Sequence, residues 1–413
     1  MVILFLLLSF SVNAAYILLP MDEAQKNHLK SYGIAYSILK GGGEVDWLLN
    51  YRGGAFAAKY AQEIESECGI RGVSYEVIAD GQYSAILNEI ANPEANMDLV
   101  KLEKAPRMAV YSPKYLSPWD DAVTMVLTYA EIPYDVVYDD EVLDDKLAKY
   151  DWLHLHHEDF TGQYGKFYAS YSHTQWYRDQ VAELEETAKR RGFDKVSKLK
   201  LAVAQKIKKF VGGGGFMFAM CSATDSYDIA LAAENTDICD VMYDHDPQSP
   251  NAQKELDFSK GFAFENYHLR TNPMEYEYSD IDATETRKVQ KEMDYFNLFE
   301  FSAKWDAVPA MLTQCHTKVV KGFMGQTTAF KKEVIRKDVL VMGQNKAANE
   351  ARYIHGEFGK GMWTFFGGHD PEDYQHFVGD PKTDLNLHPT SPGYRLILNN
   401  VLFPAARKKK QKT

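Results

Sequence analysis

The stretch from Val211 to Leu231, Val-Gly-Gly-Gly-Gly-Phe-Met-Phe-Ala-Met-Cys-Ser-Ala-Thr-Asp-Ser-Tyr-Asp-Ile-Ala-Leu, constrains the fold more than any other part of the chain. Four glycines close a basic amphipathic segment, a short apolar strand follows, and the strand delivers Cys221 into a turn of small residues. Helix-compatible sequence resumes at once, from Tyr227 to Ala233. A strand that bends directly into a helix lifts the residue at the bend above the sheet and turns neighbouring N–H groups outward. A thiol there also lies by the positive end of the helix, which favours the nucleophilic thiolate. The plainer reading is a buried structural cysteine at the end of a core strand.

From Arg107 onward strand and helix signals alternate. Met108–Tyr111, Tyr134–Tyr138 and Trp152–His156 read as strands, and Val142–Tyr150 as a short helix. Ser117-Pro-Trp-Asp-Asp-Ala opens a further helix, with Ser117 as N-cap and Pro118 at the first helical position, running to about Ala130. A Tyr-rich charged insertion (about 163–196) precedes the helix Ser197–Val211. Strand signals recur at Gly261–Phe264, Val339–Met342, Ala351–His355 and Gly361–Phe366, and a second insertion (about 270–301) reads as helical in its later part. Such alternation predicts a doubly wound parallel α/β sheet covered on both faces. Sites in such sheets form at the carboxyl ends of the strands. The segments richest in chemistry, His154–Asp159, Cys221 and His369, each follow an expected strand.

Residues 15–105 form a separate N-terminal α+β unit: a helix over Asp22–Leu39, a strand over Val45–Tyr51, a helix from Arg52-Gly-Gly54 through Ala61, and a strand over Tyr75–Ile78. Polar residues 92–104 then read as a linker. Before this unit, the apolar run Met1–Phe10 is too short to span a bilayer, and Val12-Asn13-Ala14 has the small-x-small form of a signal-peptidase site. The expectation is an exported, periplasmic protein: a signal peptide over 1–14, a mature chain without a transmembrane anchor, and a basic tail over 405–413. A net charge of −12 argues against a nucleic-acid partner, which requires a broad basic face. Cys68, Cys221, Cys239 and Cys315 are too few and too dispersed for a disulfide scaffold, though a Cys221–Cys239 bridge would remove Cys221 as a nucleophile.

Two constellations besides Cys221 carry chemistry. Phe366-Gly-Gly-His-Asp-Pro-Glu372 releases His369 at a strand end, where it can act as general base with Asp370 or Glu372 orienting its ring; a turn satisfying local backbone groups is the plainer reading. In Trp152-Leu-His-Leu-His-His-Glu-Asp159, His154 and His156 share one strand face and, with Glu158 or Asp159, could hold a divalent metal; that two histidines on a strand face simply pack and hydrogen-bond is the plainer reading. No other cofactor signature is present: Gly212–Gly215 lacks the Lys-Ser/Thr of a phosphate loop, and there is no Rossmann fingerprint.

Taken in order, the strand entering His-His-Glu-Asp-Phe, the Gly-Gly-Phe-x-Phe-Ala-Met-Cys segment and Gly-Lys-Gly-x-x-x-Phe-x-Gly-Gly-His-x-Pro-Glu resemble the class I glutamine amidotransferase-like superfamily. The nearest likeness is to its trehalose-utilisation-protein-like branch, over residues 106–404. The resemblance implies a flavodoxin-like sheet, with Cys221 as nucleophile, His369 as triad histidine and the Ser222 N–H as an oxyanion donor. His157, Glu158 and Asp159 stand where the superfamily has its Pro-Gly-Gly oxyanion strand, and Pro371 stands where it has its acid; both departures argue against glutamine hydrolysis. Proteins of this look also carry an asparagine synthetase B label, but an N-terminal catalytic cysteine and a Ser-Gly-Gly-x-Asp-Ser loop are absent, so ATP-dependent asparagine synthesis is not expected.

Three functions compete on these residues. The first is a cysteine-dependent hydrolase of a small amide or ester, using Cys221, His369 and Asp370 or Glu372. The second is a non-catalytic carbohydrate- or envelope-binding protein, favoured by the Tyr- and Trp-rich segment Tyr164–Tyr177. The third is a metal-dependent hydrolase using His154, His156 and His369.

Overall fold

The computed structural model describes residues 14–113 and 119–407. The expected signal peptide, save Ala14, the expected helix start at Ser117-Pro118 and the tail beyond residue 407 lie outside them. The first sheet contains β1 (Ala14–Leu19), β2 (Val45–Leu49), β3 (Ala55–Lys59), β4 (Glu76–Ala79) and β5 (Asp98–Leu102) in the order β4-β1-β3-β2-β5, all neighbours antiparallel. Alternation decides its two faces. Ile17, Leu19, Phe56 and Val100 enter one core, whereas Leu18, Leu48, Ala55 and Ala57 enter another with Tyr83 and Ile90 of the helix Asp80–Ala91. Against the first face lies the helix His28–Lys40, whose Leu29, Tyr32, Tyr36 and Leu39 recur at helical spacing and are buried. Asn27 caps it by accepting the Lys30 N–H at 2.9 Å.

Two expectations for this unit are corrected. Residues 55–59 form a strand rather than a helix, because the turn at Asn50–Gly54, with Asn50, Arg52, Gly53 and Gly54 at positive φ, folds β3 back onto β2. The expected linker contains β5, whose alternating Val100 and Leu102 are buried beside β2.

The second sheet contains β6 (Met108–Tyr111), β7 (Asp135–Val137), β8 (Trp152–Leu155), β9 (Phe216–Met220), β10 (Tyr295–Leu298), β11 (Val319–Lys321), β12 (Phe330–Lys331), β13 (Leu340–Asn345), β14 (Glu350–Phe358) and β15 (Gly361–Phe366). Its order is β11-β10-β13-β14-β15-β9-β8-β6-β7, with β12 paired to β14. From β7 to β15 neighbours run parallel, and beyond β15 they run antiparallel, so the sheet is mixed rather than wholly parallel. The reason is local. Only Gly359 and Lys360 separate β14 from β15, and so short a connection makes a hairpin, never a crossover. Residues 261–264 are not a strand; the N–H groups of Phe262, Ala263 and Phe264 donate instead to the Asp228 carboxylate at 2.7–2.9 Å. The second expected insertion holds single 3₁₀ turns and β10 rather than a helix.

Both faces of the parallel half are covered, and period-two alternation sorts its side chains. Met108, Val110, Trp152, Phe218 and Met220 face the helices Ala122–Tyr129 and Pro392–Leu402, in a core continuous with that of the first sheet. Ala109, Tyr111, Leu153, Leu155, Met217 and Ala219 face the helices Val196–Gly212 and Ala223–Ala232. Among the described residues no helix is long and apolar enough to cross a membrane.

Candidate active site

Cys221 breaks the alternation. It follows Met220 at the end of β9, precedes Ser222 and the helix Ala223–Ala232, and packs with the same core as Met220. Its φ of +53° causes this, a left-handed conformation costing a non-glycine residue about 1–2 kcal/mol. The strain turns the side chain into a cavity of about 380 Å³ at the carboxyl ends of the parallel strands. Ser222 lines the same cavity; the Ala223 N–H is taken by the His156 carbonyl at 2.9 Å, while no backbone partner receives the Ser222 N–H among the described residues. All four cysteines are free thiols, so no Cys221–Cys239 bridge forms. Burial pushes Cys68 up to about 12 and also raises Cys239 and Cys315, which keeps those three protonated at neutral pH.

His369 reaches the cavity from the loop after β15. That loop is clamped: the Gly368 N–H donates to the Thr327 carbonyl at 2.8 Å and the His369 N–H to the Met324 carbonyl at 2.9 Å. The clamp requires glycine at Gly368 (φ +102°), where a Cβ would lie 2.5 Å from the Phe323 ring. The ligand-capable atoms of Cys221, His156, His157 and His369 all lie within 4.8 Å of one another. Burial opposes a charge on His369, but the Asp120 carboxylate and Cys221 beside it outweigh burial and push the imidazole up to about 10. His156 and His157 are driven the other way by burial, His156 to about 4, so both are neutral imidazoles.

The expected orienting acids do not face His369. Asp370 accepts the Glu372 N–H at 2.9 Å and the Thr383 hydroxyl at 2.7 Å, and Glu372 pairs with His388 at 3.1 Å. Asp120 takes the place beside the ring, its Oδ1 lying 3.6 Å from His369 Nε2 and 3.3 Å from His376 Nε2. Neither Asp120 nor His376 stood out in the sequence. The signal available was position: Asp120 follows the carboxyl end of β6, where sites in such sheets collect. Its neighbour Asp121 caps the helix Ala122–Tyr129 by accepting the Thr124 N–H at 2.8 Å.

The His154–Asp159 segment divides. His157 lines the cavity. Glu158 turns away to accept the Tyr138 hydroxyl at 3.2 Å, and Asp159 accepts the Thr161 N–H and hydroxyl, both at 2.6 Å, and the Gly165 N–H at 3.1 Å. Neither lines the cavity. His154 and His156 share a face, as expected, and both lie 3.2 Å from Asp121 Oδ2. His154 is closed off from the cavity, its Nδ1 against the Phe218 carbonyl at 3.2 Å and its ring stacked with Trp152 and Phe218.

The Tyr-rich insertion supplies the cavity wall. Phe167 and Tyr171 line it with Trp119, and Tyr276, Phe377 and Val378 form an apolar rim that is 43, 58 and 37% exposed. Trp119 lies 4.8 Å from Phe167 and 5.3 Å from Trp176 between ring centroids.

The chain matches no family model. It matches no curated protein. Among solved structures it is similar to the cytoplasmic protein STM3548 of Salmonella typhimurium, at 13% identity and a TM-score of 0.35, covering 73% of this chain and 100% of that one. It is also similar to the cytoplasmic protein STM1381 of the same organism, at 12% identity and a TM-score of 0.35, covering 70% of this chain and 89% of that one. Likenesses of this size leave function to be argued from the site.

Proposed function

We propose that this chain is a cysteine-dependent hydrolase of a small amide or ester, built on a flavodoxin-like sheet of the class I glutamine amidotransferase-like kind. Numbering the parallel strands β6, β7, β8, β9 and β15 from one to five gives the order 2-1-3-4-5, which supports the flavodoxin-like reading. The observation that carries the hydrolase is the strained Cys221, held in the left-handed region and within 4.8 Å of His369 in one cavity. Strain of this kind persists only where surrounding structure imposes it, and it is characteristic of nucleophiles at strand-to-helix turns.

In this mechanism the Cys221 thiolate attacks the substrate carbonyl carbon. The Ser222 N–H donates to the oxyanion, and His369 passes a proton to the leaving amine or alcohol as the carbon–heteroatom bond breaks. Water, deprotonated by His369, then attacks the thioester carbonyl, releasing the carboxylic acid and restoring the Cys221 thiolate beside the protonated imidazole. Asp120 replaces Asp370 and Glu372 as the group that holds the imidazole. The aromatic wall favours substrates whose non-reacting part is flat or apolar, a sugar ring included. The test is alkylation by iodoacetamide, with turnover of p-nitrophenyl esters, in chelator-treated protein. One thiol is expected to label rapidly, with labelling and turnover lost in Cys221→Ala and slowed in His369→Ala. Equal rates in wild type and His369→Ala would sink the proposal.

A further inference from the structure

The hydrolase uses one imidazole, yet Asp120 faces two. The Asp120, His369 and His376 side chains are only 2, 8 and 6% exposed. Both Asp120 oxygens and the Nε2 atoms of both histidines are buried without a hydrogen-bond partner. Leaving such groups unpaired is costly, so each calls for an explanation. His376 is oriented from its far side. Its Nδ1 lies 2.8 Å from Asp373 Oδ2, which holds the ring with Nε2 directed at the Asp120 carboxylate.

We propose that Asp120, His369 and His376 form a binding site for a zinc-class divalent transition metal. Two imidazoles and one carboxylate are a recognised donor set for such ions, and three protein ligands leave a position open for solvent or a ligand. The spacing fits. Metal–ligand bonds of about 2.0–2.2 Å at tetrahedral angles separate neighbouring donor atoms by about 3.3 Å. The Asp120 oxygen lies 3.3 and 3.6 Å from the two nitrogens, and all three donor atoms fall within 4.8 Å of one another. The Asp373–His376 contact is the outer carboxylate that metal-bound histidines generally carry. Both histidines line the cavity, so the open position faces it.

Other clusters lack this combination. The Asp121 group spends one oxygen capping a helix and both His154 nitrogens on hydrogen-bonded partners. The Asp237–Cys239–Asp244 group is filled by the Lys195 ammonium, 2.5 and 2.9 Å from its two carboxylates. The His156 and His157 rings stack at 3.8 Å and 16°, so one ion cannot lie in both ring planes.

Metal binding stands independently of the hydrolase. One consequence rests on that reading: an ion on His369 Nε2 would compete with proton transfer and slow Cys221 alkylation. The test is a Co²⁺ titration of full-length, chelator-stripped protein, followed by visible absorption and by displacement with Zn²⁺. One equivalent is expected to bind with the ligand-field bands of a four- or five-coordinate ion. Binding should be retained in Cys221→Ser, lost in Asp120→Asn and His376→Gln, and weakened roughly ten- to a hundredfold in Asp373→Asn. Absence of cobalt bands in the wild type overturns the proposal whatever the variants do. Bands that vanish in Cys221→Ser but survive in His376→Gln overturn it too, because they place the ion elsewhere. Alkylation of the metal-free protein reads the hydrolase separately, so either proposal can fail alone.

Discussion

Two aspartates follow neighbouring strands of one sheet, and the protein treats them oppositely. Asp139, after β7, is closed: both oxygens lie 3.0 Å from Lys200 Nζ, the Tyr111 hydroxyl donates to it, and the ammonium also reaches the Tyr138 hydroxyl at 3.2 Å. Asp120, after β6, is equally buried but meets two imidazoles beyond ordinary hydrogen-bonding distance. The first pair is saturated, an arrangement that serves folding. The second retains unspent bonding capacity beside a strained cysteine and an open cavity. Burial is common to both; the number of satisfied atoms separates scaffold from site.

The largest effect should fall on chemistry alone. Cys221→Ala is expected to abolish ester turnover and rapid alkylation while changing unfolding free energy by no more than about 1 kcal/mol, read by mass spectrometry and urea titration. His369→Ala should slow turnover about 10²–10⁴-fold, again with little loss of stability. The closed pair should behave inversely: Lys200→Met leaves a buried carboxylate unpaired and should cost about 3–5 kcal/mol in urea unfolding, with turnover retained in whatever fraction stays folded. If Lys200→Met proved neutral, the contrast between the two aspartates would collapse.

A smaller effect concerns pH. Burial pushes the Asp225 carboxyl up to about 7, against its hydrogen bonds from Thr327 and nearby N–H groups. The unfolded chain loses this proton near pH 4, whereas the native chain keeps it to about 7. Between those values the native state binds more protons, so stability falls as pH rises, by at most about 1.4 kcal/mol per pH unit. Asp225→Asn should flatten that slope in urea titrations across this range. The smallest effect sharpens the choice of acid: Asp370→Asn and Glu372→Gln should leave turnover unchanged while Asp120→Asn lowers it. The reverse result would restore the acids suggested by sequence proximity.

Much of the parallel half was legible before any coordinates. Met108–Tyr111 and Gly361–Phe366 form strands within the bounds read from their apolar runs, and His369 does leave the end of the latter. These runs are buried on both faces and flanked by glycine, proline or helix signals, so local pattern suffices. β5 and β12 were illegible for the opposite reason. Their residues are half-exposed and charged, and they become strands only because β2 or β14 offers an edge to pair with. Asp370 and Glu372 misled because adjacency along the chain stood in for adjacency in space; both carboxylates are absorbed by their own loop.

The elbow is the part that local sequence specifies: a glycine stop, an apolar strand and a small-residue turn place Cys221 where strand gives way to helix. The company that cysteine keeps is set in three dimensions. Asp120, His369 and His376 come from loops separated by some two hundred and fifty residues, and they meet because β6 and β15 end at the same rim of one sheet. Local preferences act over a turn or two of chain, whereas convergence of that kind depends on strand order, which is settled by packing of the whole core.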